Sequence, residues 1–115
     1  MDQRVYAAIA FMTTNLHRKL SAVEIAQRVC LSPAHLRDLF KNETGTSLTR
    51  YRRELQMQRA KHLLETTFLS VKEVAAAVGI NGLSHFGKDF EHKYGATPSR
   101  YAARYRGINK SSPTK

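Results

Sequence analysis

The sequence predicts an all-α chain built around one helix pair used twice, and three observations carry that expectation. Apolar residues recur at steps of three and four, and no stretch alternates apolar with polar residues as a half-buried strand would. Helix start and stop signals are dense along the chain. The chain also repeats itself at an offset of 49 to 50 residues. Ser21, Glu24, Ile25, Ala26, Val29 and Leu31 return as Ser70, Glu73, Val74, Ala75, Val78 and Ile80. Leu36, Phe40, Gly45, Arg50 and Tyr51 return one residue later in register, as Phe86, Phe90, Gly95, Arg100 and Tyr101. The second copy therefore has one extra residue in its turn.

Each element follows from local signals. Val5, Ile9, Met12 and Leu16 line one helical face, which predicts an amphipathic helix over residues 2–16. "SAVE" at 21–24 and "SVKE" at 70–73 have capping-box spacing, in which the serine hydroxyl takes a free amide and the glutamate reaches back. Ser32 before Pro33 fits an N-cap followed by proline at the first helical position. Gly45 and Gly95 fit the left-handed residue that ends a helix. Residues 49–65 hold no breaker and predict one long helix. Thr97-Pro98 begins a last short helix through about Tyr105. The polar tail is expected to be disordered. The expected organisation is a first unit at 1–48, a linker helix at 49–65, a second unit at 66–106 and a tail at 107–115.

Composition bounds the partners. The 115 residues carry 19 Lys and Arg against 9 Asp and Glu, a formal charge of +10. That favours an anionic partner, nucleic acid before an anionic membrane. The cations are spread along the whole chain, so any basic face must be assembled by folding. The one cysteine, Cys30, forbids an internal disulfide and suits a reducing cytoplasm. No apolar run approaches the roughly 20 residues of a membrane span, and no signal peptide is evident. The five histidines show no metal-ligand spacing with Cys30 or with carboxylates. Ser84 and His85 are neighbours on a helix and do not face each other as a nucleophile and base would. No phosphate-binding glycine loop is present. No enzymatic activity, cofactor or metal is expected.

Each copy reads as a short capped helix, a tight turn and a longer helix, with Ala26 or Ala75 where the two helices cross closely. That is the pattern of a helix-turn-helix, whose second helix enters the DNA major groove. At about 100° per residue, Leu36, Leu39, Phe40 and Glu43 cluster on one side of the first such helix. Ala34, Asp38 and Lys41 lie opposite, with Arg37 on the flank. In the second helix Leu83, Phe86, Phe90 and Tyr94 cluster, while Ser84, His85, Lys88 and Glu91 lie opposite and Gly87 flanks them.

The chain resembles the DNA-binding domain of the AraC/XylS family of bacterial transcription regulators over about residues 4–106. The resemblance is sharpest in Ala60, Leu64, Val74-Ala75, Val78-Gly79-Ile80, Phe86, Phe90, Gly95 and Thr97-Pro98. It implies a seven-helix, homeodomain-like fold with two helix-turn-helix units joined by a linker helix. It also implies that one chain reads two major-groove segments without dimerising. The partners implied are double-stranded DNA and RNA polymerase, at the nucleoid in the cytoplasm. Family members commonly carry a separate effector-binding or dimerisation domain, for which this length leaves no room.

The expected base-reading residues are Ala34, Arg37, Asp38, Lys41, Ser84, His85 and Lys88, to which the resemblance adds Leu83 and Gly87. The expected phosphate contacts are Ser32, Arg50, Asn81 and Arg100. Arg37 and Lys88 can donate to guanine O6 and N7, or can be solvated surface charge. Asp38 can accept from a cytosine amino group, or can pair with Lys41 three residues on. Gly87 either admits a close base edge or has no role. Ser32, Asn81 and Ser84 can hold phosphate at a helix start, cap it, or do both. Arg50 and Arg100 can touch phosphate or stabilise the helix start. Arg52, Arg53, Arg59 and Lys61 on the linker helix are expected to be mostly solvated. The competing class is a helical interaction module that binds a protein or RNA through its basic surface.

Overall fold

The computed structural model describes residues 1–106 with their side chains, together with the helix bounds. The tail at 107–115, expected to be disordered, lies outside the described residues. Seven helices and no strand occur among the described residues: α1 (Gln3–Thr14), α2 (Ala22–Arg28), α3 (Pro33–Thr44), α4 (Leu48–Thr66), α5 (Val71–Ala77), α6 (Leu83–Tyr94) and α7 (Pro98–Thr114). They form two compact units, Met1–Gln56 and Met57–Lys115.

The first unit closes around Val5, Ala8 and Met12 of α1, Ile25 and Ala26 of α2, and Leu36 and Phe40 of α3, with Val29 and Leu48. Leu55 and Tyr51 of α4 pack against this core. The second unit closes around Met57, Ala60 and Leu64 of α4, Val74 and Ala75 of α5, and Phe86 and Phe90 of α6, with Val78, Ile80, Ala96, Tyr101 and Ala102. Both cores thus draw on α4, the first on its N-terminal turns and the second on its C-terminal turns. The repeat read from the sequence recurs as packing. Phe40 meets Tyr51 edge-on with ring centroids 5.1 Å apart, and Phe90 meets Tyr101 edge-on at 5.4 Å. Edge-to-face pairs of this kind add about 0.5–1.5 kcal/mol beyond the area they bury.

The turns repeat as well. The Cys30 amide donates to the Gln27 carbonyl (3.2 Å) and the Leu31 amide to the Ala26 carbonyl (2.9 Å). In the second copy Gly79 donates to Ala76 (3.1 Å) and Ile80 to Ala75 (2.9 Å). Both ends are the paired-bond helix stop that needs a left-handed residue. Gly79 supplies it at φ 77°, whereas Cys30 adopts φ 59° with a side chain attached. A Cβ in that region costs roughly 1–2 kcal/mol, and glycine returns roughly 0.5–1 of this through its unfolded-state freedom. Cys30→Gly is therefore expected to stabilise the chain by about 0.5–1 kcal/mol, read as a higher urea midpoint at unchanged slope. An unchanged midpoint would mean that the cysteine carries no strain.

Capping departs from the sequence reading in two places. Ser70 forms the full box: its Oγ accepts from the Glu73 amide (3.0 Å) and Glu73 accepts from the Ser70 amide (2.8 Å). At Ser21 only half of the box forms. The hydroxyl accepts from the Glu24 amide, but the Glu24 carboxylate turns to Arg18, whose Nη2 lies 2.6 Å away. A charged partner outcompetes a neutral amide for the carboxylate. The second departure is at α6. Its N-cap is Gly82 at φ 83°, without a side-chain cap, so Asn81 lies one residue outside the helix.

Candidate nucleic-acid interface

On α3 the inward face is Leu36 and Phe40, both fully buried. Leu39 is half-buried, and Glu43 is exposed rather than part of the apolar side. Its carboxylate accepts the Asp2 amide at the start of α1. The outward face carries Ala34, His35, Arg37, Asp38 and Lys41, all exposed. Asp38 and Lys41 do not pair, and neither their side chains nor that of Arg37 has a hydrogen bond or ion pair among the described residues.

On α6 the inward face is Phe86 and Phe90, fully buried, with Tyr94 against Phe90 at 4.7 Å. Leu83, grouped with them by helical angle, is instead 47% exposed. It is the first residue of the helix, so no preceding turn covers it. The outward face carries Ser84, His85, Lys88 and Glu91, all exposed and with no polar partner for the side chain among the described residues. Gly87 is half-exposed, and a Cβ built on it would meet nothing within 4 Å. The packing of the chain thus gives no steric reason for a glycine that costs a helix about 1 kcal/mol against alanine.

The starts of α3, α4 and α7 are capped by hydroxyls. Ser32 Oγ accepts from the His35 amide (3.2 Å), Ser47 Oγ from the Arg50 amide (3.1 Å) and Thr97 Oγ1 from the Arg100 amide (3.3 Å). Ser47 was not singled out in the sequence, yet it matches Thr97 at the same offset of 50. Arg50 and Arg100 are the third residues of α4 and α7, exposed, with no side-chain partner among the described residues. A cation in a first turn opposes the helix dipole by about 0.3–1 kcal/mol. Their charges therefore do not stabilise these helix starts; an external anion would reverse the sign.

Several other charges are committed inside the fold. Arg4 pairs with Asp2 (3.0 Å) and Lys61 with Glu65 (2.7 Å). The Tyr101 hydroxyl donates to the same Glu65 carboxylate, and Lys61 with Tyr101 holds that carboxyl below its ordinary range. Arg52 is half-buried and turned inward. Its Nη2 donates to the Arg18 carbonyl (2.6 Å) and to the Leu16 carbonyl (3.4 Å), and burial, with the nearby Arg18 charge, lowers its pKa. Lys61 is likewise turned inward, 5.8 Å from the centres of the Tyr94 and Tyr101 rings. Arg59 stays exposed. No group of three His, Cys, Asp or Glu among the described residues could hold a metal ion. No helix among them is long and apolar enough to cross a membrane.

Two copies of a helix–turn–helix pair, each with an apolar inner face and a polar outer stripe on its second helix, define a helix-turn-helix protein. A family model described as a helix-turn-helix domain matches residues 25–104. The chain is 34% identical over 104 residues to the arabinose operon regulatory protein of Escherichia coli K12, covering 90% of this chain and 36% of that protein. It is 32% identical over 98 residues to the HTH-type transcriptional regulator GlxA of Rhizobium meliloti, covering 85% and 30% respectively. The chain thus spans about a third of the length of these curated relatives. A crystal structure of an AraC-type transcriptional regulator from Chromobacterium violaceum superposes with a TM-score of 0.82 at 30% identity, covering 90% of this chain and 92% of that one. The DNA-binding domain of AdpA, crystallised with a target DNA, superposes with a TM-score of 0.82 at 25% identity, covering 96% and 97%. The chain belongs to the AraC-type helix-turn-helix family, and it is a DNA-binding domain of that family.

Proposed function

We propose that this domain binds one stretch of duplex DNA as a monomer, with α3 and α6 in successive major grooves. The outward faces of α3 and α6 supply base readers, and the starts of α3, α4, α6 and α7, with Arg50 and Arg100, hold phosphates. The domain serves bacterial transcription regulation in the cytoplasm, with RNA polymerase as its protein partner. One observation supports the reading most. The side chains of Arg37, Asp38 and Lys41 on α3 and of Ser84, His85 and Lys88 on α6 are exposed and unpaired among the described residues, while Arg4, Arg18, Arg52 and Lys61 have partners inside the fold.

Recognition helices one duplex turn apart need about 34 Å between centres. The site is therefore expected to hold two blocks about 10 base pairs apart and to cover about 20 base pairs. A footprint that needs two chains on a palindrome would overturn the monomer reading. Arg37→Ala and Lys88→Ala are each expected to weaken binding to the preferred duplex by about 1–3 kcal/mol, with a smaller loss on a scrambled one. Arg100→Ala is expected to weaken both about equally. Titration of each variant on both duplexes checks this, and equal losses for Lys88→Ala would assign that residue to phosphate. Failure to bind any duplex, with capture of RNA or protein retained, would favour the interaction-module reading.

A further inference from the structure

At the offset of 50, the outward faces of α3 and α6 align residue on residue. Ala34 falls on Ser84, Arg37 on Gly87, Asp38 on Lys88 and Lys41 on Glu91. The inward faces have kept their chemistry: Leu36, Phe40, Phe86 and Phe90 are all fully buried. The outward faces have not, and at two of the four positions the sign of charge is reversed. Asp38 is a carboxylate where Lys88 is an ammonium, and Lys41 is an ammonium where Glu91 is a carboxylate. All four are exposed and none of the four side chains has a partner among the described residues, so no ion pair in the fold accounts for the exchange. Attraction to phosphate does not account for it either, because a carboxylate on the duplex side works against that attraction.

Hydrogen-bond polarity does account for it. An ionised carboxylate only accepts, and an ammonium only donates. In the major groove the donor that suits a carboxylate is the cytosine N4 amino group, and the acceptors that suit an ammonium are guanine O6 and N7. We propose that the two modules read half-sites of opposite polarity. Asp38 accepts from a cytosine amino group in one block, and Lys88 donates to guanine at the corresponding step of the other. With the cytosine and the guanine on the same strand, one block carries C·G where the other carries G·C, and the operator is a composite of two unlike blocks and not a direct repeat, even though the protein is an internal repeat. The proposal rests on the DNA-binding reading above and goes beyond it by assigning polarity to each block.

The test begins by selecting the preferred duplex from a random pool with the full chain, then titrating every single-base-pair variant of it. Asp38→Ala is expected to lose about 5- to 100-fold of discrimination at one C·G pair in one block. Its affinity for scrambled duplex should stay level or rise, because a carboxylate has left the vicinity of the phosphates. Asp38→Asn should shift the preferred base at that pair from cytosine toward adenine, which an amide reads through N6 and N7. Lys88→Ala should lose discrimination at a G·C pair in the other block only. A duplex that carries either block twice should bind at least about tenfold more weakly than the composite. If Asp38→Ala raises preferred and scrambled affinity by the same factor, the carboxylate is solvated surface and the proposal fails. Tandem duplexes that bind as tightly as the composite would also overturn it. If no duplex is enriched from the pool, the DNA-binding reading itself fails, and this result is distinct from the other two. Both positions are exposed, and thermal melts of each variant verify that the fold is kept.

Discussion

Phe90→Ala is expected to destabilise the chain by about 3–5 kcal/mol, a large share of the roughly 5–15 kcal/mol that holds a whole domain together. Phe90 is fully buried and sits among three rings: Phe86 at 5.8 Å, Tyr94 at 4.7 Å and Tyr101 at 5.4 Å. Truncation therefore removes aromatic contacts from α6 and α7 together as well as opening a cavity. Because Tyr101 also donates to Glu65, the loss reaches the C-terminal part of α4. The core of the first unit contains none of these residues. Amide exchange is accordingly expected to lose protection over residues 57–106 and to keep it over α1, α2 and α3. Uniform loss along the chain would show instead that α4, which feeds both cores, binds them into one cooperative unit.

Binding to duplex DNA is expected to weaken about 1,000-fold between 50 and 200 mM salt. The figure follows from about 6 phosphate contacts, each contributing about 0.9 to a slope near −5 of log affinity against log salt. The formal charge of +10 overstates what reaches the duplex. Arg4, Arg18 and Lys61 are already paired with carboxylates, and Arg52 donates to backbone carbonyls. Arg50 and Arg100 stand free at helix starts, and removing either is expected to make the slope shallower by about 1. Phosphates held by backbone amides at helix N-termini add affinity with no cation of their own. A slope near zero would contradict DNA binding. A slope steeper than about −10 would place further α4 cations such as Arg59 on the duplex.

Most of the fold was legible because its signals are local. A serine three residues before a glutamate, a proline after a serine and a glycine after a helical run each act within one turn, so the sequence shows them directly. The repeat made them stronger, since each signal occurred twice. Where the reading missed, the cause was a residue far along the chain or a competing partner. Glu24 leaves its capping box because the loop after α1 brings Arg18 to it. Arg52 turns inward because the same loop presents two carbonyls 34 and 36 residues away in sequence. Nothing in the window around Arg52 marks either event. The outward faces of α3 and α6 were legible as faces, because the 3.6-residue period sorts them. Their bases were not, because hydrogen-bond readout is settled by the groove and not by the protein alone.

The unpaired outward stripe also makes the domain a writable surface. Ala34, Arg37, Asp38, Lys41, Ser84 and Lys88 are all exposed and belong to neither core, and exposed substitutions of that kind usually change stability by no more than about 0.5 kcal/mol. A library randomised at these positions would leave both cores, all the caps and the two turns untouched. Nearly every member should fold, so selection would act on sequence preference alone. Since each stripe sits on its own core, the two halves of a target could be evolved in separate pools and then joined in one chain.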